Sequence, residues 1–244
     1  MTPTPIYLRV LPVGDSAVTV EFGDEVSPEL NQAVVQLDIA LAAAEIEGII
    51  ETVPSYRSLL ICYDPMEISH ADLVIALHRL ISRDLIPRTD RIASWTIPVI
   101  YDPPFGDDLA EAARLLNLTE DAVIRLHCDA DYRVYMVGFA PGLPYLGRLP
   151  DALHISRRDV PRPMVPEGSV VIGGMQCAVA SIPLPTAWYK LGQTPLKPFE
   201  AARRDPFLFR AGDRVRFRRI DAAEYRHLAA LDTRTLLPLV RTAA

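Results

Sequence analysis

The 244-residue chain reads as an α+β N-terminal domain followed by a mainly-β C-terminal domain folded as a closed or nearly closed barrel. Three observations carry this reading. Pairs of strand patterns alternate with single amphipathic helices over roughly the first 85 residues. Beyond them the chain offers many short strand patterns separated by turns, the signature of barrels. The charge also changes between the two parts. Residues 1–92 hold 6 basic and 14 acidic residues, whereas residues 93–244 hold 19 and 17. The polar, proline-bearing segment 84–94, DLIPRTDRIAS, is the expected boundary, giving domains 1–90 and 91–244.

In the first domain, residues 6–11 and 17–22 are strand patterns around the turn Gly14-Asp15. Ser27 is a good N-cap, Pro28 suits the first helical position, and Leu30, Val34, Leu37 and Leu41 then recur at helical spacing. Ile49 to Val53 and Ser58 to Tyr63 read as two further strands about Pro54. Ser69 with Asp72 forms a capping box before a helix running to Arg83, with Leu73, Leu77 and Leu80 on its apolar face. This order, strand-strand-helix-strand-strand-helix, suggests a small ferredoxin-like unit.

The second domain opens with a strand from Trp95 to Tyr101. A helix over 107–116 closes at Asn117, and Thr119 caps a second helix running to His127. Tyr132, Val134 and Met136 alternate with their neighbours as in a strand. The following proline-rich stretch is expected to be loop-dominated, with strands near 169–172, 177–182, 187–191 and 213–219. A helix over 221–231 and a polar tail expected to fray end the chain.

Composition excludes several functions. With 50% apolar and 23% charged residues the chain is an ordinary globular one, neither disordered nor collagenous. Neither part has the basic footprint of a nucleic-acid binder. Cys62, Cys128 and Cys177 lack paired spacing, which argues against a disulfide framework or a zinc cluster, and no metal site is expected. No signal peptide and no run of about 20 apolar residues is visible, so the expectation is a cytoplasmic protein without a membrane partner. There is no phosphate-binding glycine loop ending in Lys-Ser/Thr, no G-x-G-x-x-G and no G-x-S-x-G.

Two segments stand out. GFAPGLPYLGRLP, residues 138–150, sets glycines against prolines, so its backbone is stiff and shaped while Phe139 and Tyr145 supply aromatic surface. It fits a structural loop or a preformed pocket wall. PRPMVPEGSVVIGG, residues 161–174, holds Arg162 between prolines and ends on Gly173-Gly174, which could present backbone N–H groups to an anion. Phe139, Pro141, Gly142, Tyr145, Arg162, Gly173, Gly174, Gln176 and Lys190 are the candidate substrate-binding residues. Gln176 suits an amide, while Arg162 and Lys190 suit a carboxylate or phosphate. No catalytic residue is assigned. Arg57, His127 and Tyr132 are further candidates. His127 is open to two readings, a favourable charge at a helix C-terminus or a role as a ligand or acid-base group.

In order, GFAPGLPYLGRLP, PRPMVPEGSVVIGG-x-Q, LGQTP and AGDRVRF resemble the family of the 5-oxoprolinase B subunit. VGDSAVTVEFGDEVSPELN and VPSYRSLLICYDP agree with its opening segments. That family also holds the sporulation kinase inhibitor and the subunit-1-like part of allophanate hydrolase or urea carboxylase. The resemblance implies a cyclophilin-like barrel for the C-terminal domain. It also implies a hetero-oligomer with two partners: a homologous barrel protein, the C subunit, and a lactamase-like protein, the A subunit. Such a complex opens 5-oxoproline, a small-molecule substrate, to glutamate with ATP hydrolysis, ATP being a cofactor through the complex. The alternatives it carries are a kinase-inhibiting regulator and an allophanate hydrolase-related subunit. The chain departs from the family pattern at Leu143, where Phe is usual, at Arg148, where Gly is usual, across Cys177 to Ser181, and at Thr186-Ala187.

Overall fold

The computed structural model describes residues 8–81 and 92–242, and the chain divides into two compact units, Met1–Arg91 and Ile92–Ala244. Most of the expected boundary segment, 84–91, lies outside the described residues, as does the end of the helix expected to reach Arg83.

Unit one contains β1 (Arg9–Pro12), β2 (Ala17–Glu21), α1 (Pro28–Ala44), β3 (Ile49–Pro54), β4 (Ser58–Tyr63) and α2 (His70–Ile81). The helix starts form as the sequence dictates. Ser27 Oγ accepts from Leu30 N at 3.1 Å, and Ser69 Oγ accepts from Asp72 N at 3.1 Å while donating to the Asp72 carboxylate. The antiparallel sheet runs β1-β2-β4-β3. Its order matches a ferredoxin-like sheet, but the edge strand beside β2 comes from the front of the unit and not from its end. Val18, Val20, Leu59 and Ile61 pack with Val34, Leu37, Leu73 and Leu77 to form its core.

Unit two contains β5 (Ser94–Val99), α3 (Leu109–Leu116), α4 (Glu120–Asp129), β6 (Tyr132–Val137), β7 (Pro144–Gly147), β8 (Arg162–Val165), β9 (Ser169–Gly173), β10 (Gln176–Val179), β11 (Leu184–Thr186), β12 (Tyr189–Gln193), β13 (Arg214–Arg219), α5 (Ala222–Ala229), α6 (Thr233–Val240) and β14 (Arg241–Thr242). The main sheet is ordered β12-β9-β10-β7-β6-β13-β5-β14. Ile100, just past β5, exchanges two 2.9 Å backbone hydrogen bonds with Gln193 at the end of β12. The strands between therefore curl into a nearly closed barrel. β8 and β11 form a separate two-stranded piece.

Five elements, β7, β8, β11, α6 and β14, were not expected from the sequence. β7 and β8 lie in stretches whose prolines argue for loops, yet Pro144 opens its strand and Pro163 sits in a two-stranded piece where every strand is an edge, positions that tolerate proline. The described part of the tail, up to Thr242, is helical with a short closing strand and not frayed. Asp232 caps α6 by accepting from Thr235 N at 2.8 Å, and Leu236 and Val240, one helical turn apart, enter the core.

Strand alternation separates two environments. Val170, Ile172, Cys177, Val179, Tyr189 and Leu191 face the barrel interior, while Val171, Ala178, Ala180, Leu143, Val165, Leu184 and Trp188 form a second cluster on the outer face. His127 and Tyr132 belong to the interior. The His127 ring is fully buried, stacks on Phe217 at 4.3 Å, shares a 2.8 Å hydrogen bond with Tyr101 Oη and lies 3.5 Å from Cys177 Sγ. Tyr132 Oη donates to the His127 carbonyl at 3.2 Å. Both candidates are thus corrected. Neither faces an open site, and a charged histidine at a helix end is excluded by burial, which pushes His127 down to about 3.

Arg148 shows a different local constraint. It adopts φ +69° with its side chain exposed. That left-handed conformation suits glycine and penalises other residues.

Two outcomes follow. The unfolded chain takes up a proton at His127 near pH 6.5, whereas the folded chain resists until about pH 3. Stability is therefore retained above pH 6.5 and lost as pH falls through that window, at about 1.4 kcal/mol per pH unit from this group. Denaturant unfolding at several pH values should show a shallower acid limb in His127→Gln, and an unchanged limb refutes the assignment. For Arg148→Gly, relief of about 1–2 kcal/mol of strain outweighs the added freedom of the unfolded chain. Unfolding free energy should rise by roughly 0.5–1 kcal/mol, whereas a fall would show that Arg148 is not strained.

Candidate functional site

The outer face of the barrel collects five of the nominated residues, Tyr145, Arg162, Gly173, Gln176 and Lys190. β7 sets Tyr145 opposite Ala178, β10 sets Gln176 opposite Gly173, and β12 sets Lys190 opposite Val171. Cross-strand partners share a face, so Tyr145, Gly173, Gln176 and Lys190 stand together on the side away from the barrel core. Trp188 organises them. Its ring meets Tyr145 edge-on at 6.0 Å, and a Cβ on Gly173 would stand 2.6 Å from it. Gly173 is thus required for close approach of an aromatic ring, not for an unusual backbone angle. Arg157 lies over the other part of this surface, 5.9 Å from the Trp188 ring centre. Gly174 is the position with φ +62°, and a Cβ there would meet open space. It opens the two-residue turn between β9 and β10.

Arg162 reaches this face from β8. Its Nε donates to Asp108 Oδ1 at 3.1 Å, its Nη2 also bonds Asp108, and its Nη1 lies 3.4 Å from Asp107 Oδ2. Lys190 Nζ lies 3.8 Å from Asp107 Oδ1. Arg162 and Lys190 are therefore brought to the same pair of carboxylates.

Asp108 governs this arrangement. It occupies the N-cap position of α3, but its side chain does not cap the helix. With 1% of its surface exposed, it accepts from Arg158 Nη1 at 3.1 Å, from Arg162 and from the Lys190 backbone N–H at 2.9 Å. Its own N–H donates to the Lys190 carbonyl at 3.1 Å. Arg158 also bonds Glu111 at 2.6 Å and lies over the Tyr189 ring at 5.1 Å. Arg158, Arg162 and Lys190 thus face Asp107, Asp108 and Glu111, a balanced set of three cations and three anions.

Other nominated residues lie elsewhere. Phe139 takes φ +68° and is 75% exposed, and Pro141 is exposed beside it. Their loop supports the site from behind, since Ala140 and Leu143 pack into the Trp188 cluster. Gly142 turns away, and a Cβ there would meet Phe199 and Phe207 at 3.0 and 3.3 Å. Arg57 belongs to unit one, where it pairs with Glu21 and Asp24. Asp107, Asp108, Glu111, Arg158 and Trp188 were not singled out from the sequence. The paired Asp107-Asp108 at a helix start was the available signal, but its cations lie about 50 to 80 positions further along the chain.

A concavity of about 580 Å³ lies away from this face, between α3, α4 and Arg219, which bridges Asp102 and Asp121 at 3.1 Å each. No nominated residue lines it. Among the described residues, no group of three or more His, Cys, Asp or Glu could hold a metal ion, and no helix is long and apolar enough to cross a membrane.

Removing the Asp108 charge leaves two guanidinium groups short of their buried partner. Asp108→Asn should lower the unfolding free energy by about 3 kcal/mol, whereas Asp107→Asn, on the more exposed carboxylate, should cost about 1 kcal/mol or less. Equal losses in urea denaturation would refute the central place of Asp108.

Residues 8–209 match the family described as carboxyltransferase domain, subdomain C and D. The B subunit of 5-oxoprolinase from Bacillus subtilis (strain 168) is 37% identical over 230 residues, covering 90% of this chain and 96% of that protein. Among solved structures, TTHA0988 superposes with a TM-score of 0.75 at 37% identity, over 84% of this chain and 40% of that one, so this chain spans less than half of its length. Kluyveromyces lactis urea carboxylase shares the fold, with a TM-score of 0.68 at 18% identity over 91% of this chain and 22% of that one. Matched over most of its length and carrying a near full-length relative at this identity, the chain belongs to the carboxyltransferase subdomain C and D family, alongside the B subunit of 5-oxoprolinase.

Proposed function

We propose that this chain is the B subunit of a cytoplasmic, ATP-dependent 5-oxoprolinase. There it acts with two partners, a homologous barrel protein as the C subunit, and a lactamase-like protein as the A subunit. The observation that carries this reading is the 37% identity to a B subunit of 5-oxoprolinase across 96% of that protein. Under the same reading the barrel is of the cyclophilin-like type.

The outer-face site supports a small, flat, polar substrate. Tyr145 and Trp188 present ring surface, Gly173 lets the Trp188 ring lie close to β9, and Gln176 beside it both donates and accepts hydrogen bonds. A lactam has one carbonyl acceptor and one N–H donor, which such a side chain can match. Opening the lactam requires loss of amide resonance, so its carbonyl must be activated. ATP supplies that activation in the complex.

The described residues do not fit a nucleoside triphosphate on their own. Arg158 and Arg162 are already committed to Asp108, with Glu111 and Asp107 as their further partners, so the site has no surplus of positive charge for a polyphosphate. This chain's part is accordingly to bind and orient the cyclic amide, as half of a site completed by its partners.

The isolated chain should show no 5-oxoproline-dependent ATP hydrolysis, while co-expression with the lactamase-like protein and the homologous barrel protein should yield it. The measurement is phosphate and glutamate release by each purified form. Turnover by the chain alone, or none by the complete complex, would overturn the reading.

A further inference from the structure

Lys190 is one of only two lysines in the chain, the other being Lys197. β12 carries its side chain to the outer face, opposite Val171, and the residue is 3% exposed. Its backbone is fixed in both directions to Asp108. Among the described residues, the carboxylate oxygen paired with Nζ is Asp107 Oδ1 at 3.8 Å, beyond hydrogen-bond range. The stem of the side chain is thus buried while Nζ itself is not sealed from solvent, and no hydrogen bond to it is seen among the described residues. A cation on a largely desolvated side chain gains more from an acidic partner than a fully hydrated one does, and its tip is open to one here.

The nearby carboxylates are occupied. Asp108 serves Arg158, Arg162 and the Lys190 N–H, and the second oxygen of Asp107 faces Arg162 at 3.4 Å. Burial and the adjacent Arg162 charge both pull the Lys190 amine below the usual lysine range, as expected for a cation short of compensation. Along β9, the partner of Lys190 is two residues from Gly173, where the Trp188 ring rests. Two strand residues span roughly 7 Å, on the scale of a small ring bearing one acid group.

We propose that Lys190 Nζ, flanked by Arg162, is the anchor for the carboxylate of a small cyclic amide whose ring lies on the Trp188–Tyr145 surface. This rests on the reading of the chain as part of a 5-oxoprolinase and adds to it the group that holds the acid end. A single carboxylate suits one ammonium, whereas a polyphosphate does not.

The two lysines make the test direct. The full chain, labelled with 15N and 13C in lysine alone, gives two side-chain signals by NMR, assigned with Lys197→Arg. Titration with 5-oxoproline should move the Lys190 signal saturably and leave Lys197 in place. Titration with 2-pyrrolidinone, the same ring without the carboxylate, should move neither. A Lys190 signal that ignores 5-oxoproline, or that answers both compounds alike, overturns the proposal. In the reconstituted complex, Lys190→Met should raise the KM for 5-oxoproline about 10- to 100-fold, the range of a lost charged hydrogen bond, with the KM for ATP unchanged. An unchanged KM for 5-oxoproline overturns it equally. If the wild-type complex fails to open 5-oxoproline, the functional reading falls, and the lysine titration still decides whether Lys190 anchors a carboxylate.

Discussion

A carboxylate taken out of water must be compensated where it lies, and the arrangement of the second unit's outer face follows from how Asp108 is compensated. Its oxygens draw together four segments distant in sequence: the start of α3, the Arg158 segment, β8 through Arg162 and β12 through the Lys190 N–H. An aspartate at a helix start normally accepts from that helix's own N–H groups. Here the side chain is turned outward to two guanidinium groups, so a local capping interaction is exchanged for long-range ones. The neutral set of charges that results disfavours a polyanion and leaves the Lys190 ammonium with the least compensation.

The barrel keeps this chemistry apart from its core by strand alternation. Along β9 and β10 every second side chain enters the interior and the others face outward, and β12 does the same up to Lys190, where its register shifts. The interior has polar groups of its own, in Tyr101, His127 and Cys177, but burial holds each of them neutral by raising the tyrosine and the thiol and lowering the imidazole. Those groups satisfy one another and have no open face to act upon.

The sequence disclosed what depends on neighbours close along the chain. Ser27, Ser69, Thr119 and Asn117 end or begin helices through contacts within four residues, and each was readable as such. Proline misled wherever tertiary placement overrode local preference: Pro144 and Pro163 lie in strands and Pro238 lies inside α6. For the site, the glycines and aromatics of 138–150 and 161–174 pointed to the correct face. They could not reveal Asp108, because a carboxylate's partners are set by folding. The same limit applies to His127, whose position at the end of α4 suggested a charge on the dipole. Only the packing shows a ring stacked on Phe217.

The two-residue turn at Gly174-Met175 fixes which side of β9 and β10 faces inward, and this bears on how such a protein can diverge. The stretch from Cys177 to Ala180, where this chain departs from its relatives' usual pattern, is split by that parity: Cys177 and Val179 lie in the interior, Ala178 and Ala180 behind Trp188. Exchanges at even-numbered positions there remodel the binding surface, and exchanges at odd-numbered ones repack the barrel. Ligand preference and folding are thereby written in alternate letters of the same segment, so a lineage can revise one without erasing the other.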